Sequence, residues 1–248
     1  MYQNVQALVL RVTEYGEYDG ILTLLTPQYG KITAKARGLR RKKSPLIAQC
    51  QLLAYAEFTL FEQRGIYVIT EATTIDLFHE LRRDLTRLSL GTYFAQAAEV
   101  ICQEDLPNPE LQSLVLNCLF ALSKLGENEA KVKAVFELRA ACIAGYYPDL
   151  SGCQSCGNDF PDRFDLSAGM LECTSCRSME SGGIRMPLEP GILQAMRYIT
   201  ECDSRRLFAF FLPQEGLEKL TSVTEAYLTT QLERGFSTLD FYKSLLFT

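Results

Sequence analysis

The sequence of 248 residues contains no tryptophan and a single histidine, His79. One histidine beside Glu80 does not supply the nucleophile, base and orienting group that acyl transfer requires. We also find no G-x-x-x-x-G-K-[ST], G-x-G-x-x-G or G-x-S-x-G motif, the patterns typical of nucleotide binding and of a hydrolase nucleophile. The sequence therefore predicts a protein that is not an enzyme.

Long apolar runs are also lacking. No stretch of eighteen or more apolar residues occurs, so we expect no transmembrane helix. No basic region precedes an apolar run at the N-terminus, so we expect no secretory signal and a cytoplasmic location. Nine cysteines in such a chain predict reduced thiols. Five of them lie in apolar contexts and are interpreted as small buried hydrophobic residues: Cys50, Cys102, Cys118, Cys142 and Cys202.

Acidic residues are absent from one window, although the net charge of the chain is −5. No Asp or Glu occurs between Gly20 and Ala56. Such a concentration of positive charge without nearby acids is a candidate phosphate-binding surface, although most charge runs are only solvated faces. We call its seven cations the basic strip: Lys31, Lys35, Arg37, Arg40, Arg41, Lys42 and Lys43.

Short strands without intervening helices are predicted in the first seventy-five residues. Five of them, separated by turn signals, favour a small antiparallel barrel, a scaffold often used for oligonucleotides. Lys35 and Arg37 are two residues apart and are expected on one strand face. Aromatic residues in the same segment would stack on bases where they are exposed: Tyr15, Tyr18, Tyr29, Tyr55, Phe58 and Tyr67.

Helical periodicity begins after Thr74. Leucines spaced four, four and three apart predict one face of a first helix: Leu77, Leu81, Leu85 and Leu88. Further helices are predicted over 110–125 and 129–144, and the helical pattern resumes at Pro190.

One face of the helix predicted over 129–144 suggests a further hypothesis, a peptide-binding groove. Cations flank apolar residues there, so a groove could hold an acidic, hydrophobic peptide tail. An ordinary amphipathic core helix is the favoured alternative. The residues of this candidate groove are Lys131, Val132, Val135 and Arg139.

Two C-x-x-C pairs separated by sixteen residues are the most specific motif of the chain. Cys153, Cys156, Cys173 and Cys176 have the spacing of a tetrahedral zinc site. Four thiolates close the coordination shell, so we expect one structural Zn2+ and no metal catalysis. A redox-active or merely buried set of thiols is the alternative.

The order of these segments resembles the RecO family of bacterial recombination mediators. The resemblance implies an α+β fold, with an N-terminal OB-fold β-barrel over 1–78 and an α-helical body over 79–248 that contains an inserted four-cysteine zinc ribbon over 150–183. The similarity lies in Ala7–Leu10, Gly16–Asp19, Ile21–Thr26, Tyr29–Ile32, Ala36–Ser44, Phe136–Leu138, Gly145–Pro148 and the cysteine segment.

Family membership would imply partners as well as a fold. Members bind single- and double-stranded DNA, anneal complementary strands and work with RecR. They engage the C-terminal tail of single-stranded DNA-binding protein, help RecA load, and act in the cytoplasm near the nucleoid. Two alternatives stay open: a zinc-ribbon transcription or translation accessory factor, and a protein-interaction adaptor whose basic strip binds an acidic partner.

Overall fold

A computed structural model describes residues 2–63, 65–176 and 183–246. The chain forms two compact units. The first unit comprises residues 1–126 together with 236–248, and the second comprises residues 127–235.

A closed five-stranded barrel opens the first unit, as the sequence predicts. Its strand order is β1-β2-β3-β5-β4. The pairings are antiparallel except between β3 and β5, which run parallel, so the expectation of a purely antiparallel barrel is wrong at this one joint. The strands are β1 (Tyr2–Tyr15), β2 (Asp19–Thr26), β3 (Gly30–Ala36), β4 (Tyr55–Gln63) and β5 (Ile66–Asp76).

The parallel pairing of β3 with β5 follows from the order of the strands along the chain. After β3 the chain contains no strand until Tyr55, where β4 pairs with the first half of β1. The second half of β1 pairs with β2, and an irregularity between Val9 and Arg11 separates the two halves. Such a bulge bends a strand. β5, which is paired with β4, then closes the barrel against β3.

In β3, buried and outward-facing residues alternate strictly, and the buried ones point into the barrel core. In β3, Ile32, Ala34 and Ala36 are buried, whereas the residues between them face outward. Phe58 of β4 is fully buried in the same core. This ring is therefore unavailable for base stacking, and the stacking prediction applies only to the exposed rings of the segment.

Helices make up most of the remaining chain. Several begin at residues typical of a helix start, such as Pro at the first turn of α2 and α4. They are α1 (Leu85–Ile101), α2 (Pro109–Phe120), α3 (Glu129–Ile143), α4 (Pro190–Glu201), α5 (Gln214–Gln231) and α6 (Ser237–Leu245).

The predicted continuous helix face from Leu77 to Leu88 is wrong at its start. A 3-10 turn over His79–Arg83 precedes α1, and Asp84 between them has an extended backbone. The Asp84 carboxylate accepts hydrogen bonds from the backbone N–H groups of Thr86 and Arg87, which is an N-cap. This new start resets the helical phase and leaves Leu85 57% exposed.

The barrel is joined to helices within the first unit by buried polar contacts. The Gln112 side chain of α2 is buried, and its Nε2 donates to the carbonyl oxygens of Gln6 at 3.2 Å and Leu25 at 3.0 Å. The last barrel strand, β5, ends at Asp76, and α1, α2 and α6 lie in the same compact unit as the barrel.

The second unit contains a small sheet beside α3, α4 and α5. Its strand order is β6-β8-β7-β9. Ring contact between Phe164 and Tyr227, with centroids 5.1 Å apart, packs the sheet on α5. Residues 177–182 of the predicted ribbon lie outside the described residues. The strands are β6 (Asp149–Cys153), β7 (Arg163–Asp165), β8 (Met170–Glu172) and β9 (Arg185–Pro187).

Across the described ranges, no helix has the length and apolar character needed to cross a membrane.

Candidate nucleic-acid interface and metal centre

The outward face of β3 carries the first half of the basic strip. Alternation along the strand brings Lys31 and Lys35 to the outside, and Arg37 follows directly after the strand with an exposed side chain. Lys35 pairs with Ile21 of β2 on one side and Val68 of β5 on the other. Apolar residues therefore flank the positive charge on this face of the barrel.

A groove of about 400 Å³ lies on this outer face. Cations and a polar amide border it, and the side chains of β2 and β5 contribute apolar surface. Arg37 Nη2 donates to Gln63 Oε1 at 3.2 Å across one end. Such a groove has the chemistry to hold both a phosphate and a flat apolar ring. It is lined by Tyr15, Ile21, Thr33, Lys35, Arg37, Gln63, Ile66 and Val68.

Two exposed tyrosines lie beside these cations. Tyr15 is 51% exposed and Tyr18 is 45% exposed. Lys35 Nζ lies 4.6 Å from the centroid of the Tyr15 ring, and Arg41 Cζ lies 5.4 Å from that of Tyr18. Positive charge combined with exposed rings is the usual surface for single-stranded nucleic acid.

The second half of the basic strip is displayed on the segment that follows β3. Arg40, Arg41, Lys42 and Lys43 are all exposed, and the buried side chains of the flanking Leu39 and Leu46 anchor the segment in the barrel core. Four adjacent cations are thus held at the surface between two apolar anchors.

Gly38 makes the turn into this segment. Its φ is +64°, a left-handed conformation that glycine adopts without strain. The backbone N–H of Arg41 donates to the Gly38 carbonyl at 3.1 Å and closes the turn.

Acidic partners reach the basic strip from outside the acid-free window. Lys35 Nζ lies 2.8 Å from Asp19 Oδ2, and Arg40 Nη2 lies 3.1 Å from Glu14 Oε2. Hydrogen bonding to Lys35 holds the pKa of Asp19 below its ordinary value. The expectation that these cations lack acidic neighbours is therefore wrong, because strand pairing brings β1 and β2 beside them.

Lys31 is engaged differently from the rest of the strip. Its Nζ donates to the carbonyl oxygen of Glu99 at 3.0 Å, near the end of α1, and its backbone N–H donates to that of Gln103 at 3.1 Å. It lies at the start of β3, away from Arg37 and the segment beyond. The contact of Lys31 with DNA stays a prediction. In the structure, Lys31 joins the barrel to α1.

Sequence reasoning missed Glu14, Asp19 and Gln63 as parts of this surface. Asp19 belongs to the Gly16–Asp19 segment that carried the family resemblance, but no residue pattern indicated its partner. The pairing of Lys35 with Asp19 depends on the turn at Gly38, whose backbone N–H donates to Asp19 Oδ1 at 2.8 Å.

The four cysteines of the two C-x-x-C pairs come together in the second unit. Their Sγ atoms all lie within 4.8 Å of one another. A tetrahedral site with Zn–S bonds of about 2.3 Å has sulfur atoms about 3.8 Å apart. The group is therefore positioned to bind a metal ion, as the spacing predicts, and its members are Cys153, Cys156, Cys173 and Cys176.

Local backbone geometry builds this cluster. Cys153 ends β6, and the hairpin between β7 and β8 returns the chain to Cys173. Gly157, with φ +72°, makes the turn after the first pair, and its N–H donates to the Cys153 carbonyl at 2.8 Å. Asn158 Nδ2 donates to Cys173 Sγ at 3.3 Å, an outer contact of the kind that orients metal ligands.

The electrostatics of the cluster suit a cation. The backbone N–H of Cys156 lowers the pKa of the Cys153 thiol to about 6. Contact with the Cys156 side chain instead raises the pKa of Cys176 to about 11. Several thiolates repel one another at this separation, and a divalent cation compensates that repulsion.

The candidate groove for a peptide tail is not present as an apolar surface. Val132 and Val135 are fully buried. Lys131 Nζ lies 3.3 Å from Glu127 Oε2, while Arg139 donates to the carbonyl oxygens of Thr200 and Cys202 at the end of α4. These residues therefore form no open groove, and the tail-binding site stays a prediction.

Comparison with known proteins covers nearly the whole chain. Residues 1–78 match the family model described as Recombination protein O N terminal. Residues 82–240 match the one described as Recombination protein O C terminal.

Individual relatives agree with the family match. The chain is 33% identical over 247 residues to the DNA repair protein RecO of Acetivibrio thermocellus, covering 98% of this chain and 97% of the relative. It is 29% identical over 248 residues to that of Alkaliphilus metalliredigens, covering 99% and 100%. It is 27% identical over 247 residues to that of Symbiobacterium thermophilum, covering 98% and 97%.

Proposed function

The chain belongs to the RecO family, and from that premise we propose that it is a DNA-binding recombination mediator acting in DNA repair. It would anneal complementary single strands and, together with RecR, help RecA load onto DNA coated by single-stranded DNA-binding protein. No covalent step is part of this proposal. Its site of action would be the bacterial nucleoid.

The observation that carries the proposal is the exposed cationic segment on the barrel. Four adjacent exposed charges follow Arg37, which lines the groove on the outer face: Arg40, Arg41, Lys42 and Lys43. DNA binding draws most of its sequence-independent affinity from neutralising phosphates. If about four cations contact a single strand, log affinity falls with log salt concentration at a slope of roughly −2.8.

Annealing follows from the same electrostatics. Two complementary strands repel each other through their phosphates. A surface that neutralises both strands raises their local concentration and shortens the search for pairing. Exposed Tyr15 and Tyr18 would hold bases in an unpaired, accessible state by stacking.

For the metal centre, we propose one structural Zn2+ per chain. Four cysteine sulfurs within 4.8 Å match the closed thiolate sites that zinc occupies. When bound, zinc cross-links β6 to the segment after β8. It leaves no open coordination position for a substrate, so its role is to stabilise the second unit.

The proposal also includes partner proteins, whose binding sites are not assigned to particular residues. RecR and the C-terminal tail of single-stranded DNA-binding protein are proposed as partners because the chain belongs to this family. The residues predicted to bind the tail do not present an open groove: Lys131, Val132, Val135 and Arg139. The family matches over residues 1–78 and 82–240 support this proposal over the accessory-factor and adaptor alternatives.

A strand-annealing assay tests the proposal. Two complementary, dye-labelled oligonucleotides report pairing by energy transfer, with and without single-stranded DNA-binding protein. We expect the protein to accelerate pairing of both naked and coated strands at low salt, with the effect lost at high salt. Equal rates with and without the protein would contradict it, and acceleration on RNA alone would favour the accessory-factor alternative.

A further inference from the structure

The tip of the β1–β2 hairpin holds the start of the exposed cationic segment. The backbone N–H of Arg40 donates to the Tyr18 carbonyl at 2.9 Å, and Arg40 Nη1 donates to the Glu17 carbonyl at 3.4 Å. Asp19 accepts from the backbone N–H of Gly38 at 2.8 Å. The hairpin thereby fixes the position of Arg40 in the free protein.

Glu14 adds an ion pair to this arrangement. Its Oε2 lies 3.1 Å from Arg40 Nη2, with the Glu14 side chain 74% exposed and the Arg40 side chain 41% exposed. An exposed pair of this kind contributes little net stability and is exchanged readily. A guanidinium binds carboxylate and phosphate oxygens with the same donor geometry, so one anion can replace the other.

We propose that Glu14 occupies on Arg40 the position that a DNA phosphate takes, and so limits the affinity of this chain for a strand. The inference rests on the DNA binding proposed above. In the free protein Glu14 keeps Arg40 neutralised and oriented. In the complex the phosphate displaces Glu14, which turns into solvent.

Asp19 does not share this role, although it is also paired with a cation of the strip. Asp19 and Lys35 are each 28% exposed, and the same carboxylate accepts the Gly38 N–H. Displacing it would break the turn into the cationic segment as well as the ion pair. Asp19 is therefore a positioning residue that stays in place when DNA binds.

The experiment compares Glu14→Gln with Glu17→Gln. Both variants remove one negative charge from the same hairpin. Glu17 is exposed, and within the described part of the chain its side chain makes no ion pair. Binding of a fluorescein-labelled oligothymidylate is followed by anisotropy at several salt concentrations, after equal thermal midpoints show that both variants fold.

We expect Glu14→Gln to bind roughly two- to fivefold more tightly than Glu17→Gln, the range given by loss of one competing exposed ion pair. In an Arg40→Gln background, the difference between the two variants should vanish. Equal affinities of the two variants in the Arg40 protein would overturn the inference while leaving the proposed function intact. Failure of the wild-type protein to bind the oligonucleotide would overturn both.

Discussion

Lys133 Nζ lies 2.7 Å from Glu137 Oε1, and both side chains are buried inside the second unit. Glu225 Oε2 lies 2.7 Å from the same ammonium group. Burial raises the pKa of the Glu137 carboxyl above its ordinary value, and the charge of Lys133 opposes that rise. A single buried ammonium therefore holds two carboxylates at the contact between α3 and α5.

Replacing Lys133 should destabilise the protein strongly. Lys133→Met removes the cation and leaves Glu137 buried without its counter-charge, a change that costs about 3–5 kcal/mol of unfolding free energy. The double variant Lys133→Met/Glu137→Met removes both buried charges and should recover much of the loss. Urea denaturation measures both. A single variant as stable as the wild-type protein would show that the pair contributes nothing.

The same group predicts a pH dependence. Because the folded state raises the pKa of Glu137, it holds the proton more tightly than the unfolded state does. Stability is then lost as pH rises from the ordinary glutamate value, about 4.3, through the raised value. We expect this loss to be larger in Lys133→Met than in the wild-type protein, and absent from the double variant. Thermal midpoints measured across pH 4 to 8 provide the test.

Much of the architecture could be predicted from local sequence signals. Short runs of strand length separated by turn signals identified the five strands in the first seventy-five residues, and Gly145 and Pro148 lie just beyond the end of α3 at Ile143. The C-x-x-C spacing located the metal centre because both pairs belong to short turns, whose geometry is local. The strand and turn signals depend on neighbours within a few residues along the chain, whereas the two cysteine pairs meet through the β7–β8 hairpin.

Features set by contacts distant in sequence could not be predicted in the same way. α1 begins after Asp84, because the Asp84 side chain caps a new helix there instead of lying within a continuous one. The residues before and after Asp84 therefore do not share one helix face. The spacing of Val132 and Val135 is the same whether their helix face borders a groove or a core. Because α3 packs against α5, both side chains are buried in the core. Glu14 and Asp19 reach the basic strip only through strand register and the turn at Gly38.

The metal centre gives a direct compositional prediction. Protein purified without chelators should contain one zinc per chain, and Cys173→Ser should lose it and lower the thermal midpoint, because three thiolates bind less tightly than four. Cys202→Ser, outside the cluster, is the matched control and should retain the metal. Elemental analysis gives the stoichiometry; a metal-free wild-type protein would rule out the structural zinc.

Gln112 should prove important for joining α2 to the barrel. Gln112→Ala removes this donor from the buried carbonyl oxygen of Leu25 and from the partly buried carbonyl oxygen of Gln6, at an expected loss of about 1–3 kcal/mol of unfolding free energy. Ser113→Ala, at the neighbouring exposed position of α2, should change stability by less than about 0.5 kcal/mol. Chemical denaturation of the two variants compares them; similar losses would mean that the Gln112 contacts contribute little.

The most direct test of DNA binding on the barrel is reversal of the exposed cationic segment. The variant changes Arg40, Arg41, Lys42 and Lys43 to Glu. All four side chains are exposed, so the fold should persist, with an unchanged circular dichroism spectrum and metal content. Measured by fluorescence anisotropy, the wild-type protein should bind single-stranded DNA with a log–log salt slope of roughly −2.8, and the variant should show no binding. A folded variant with wild-type affinity would contradict the account.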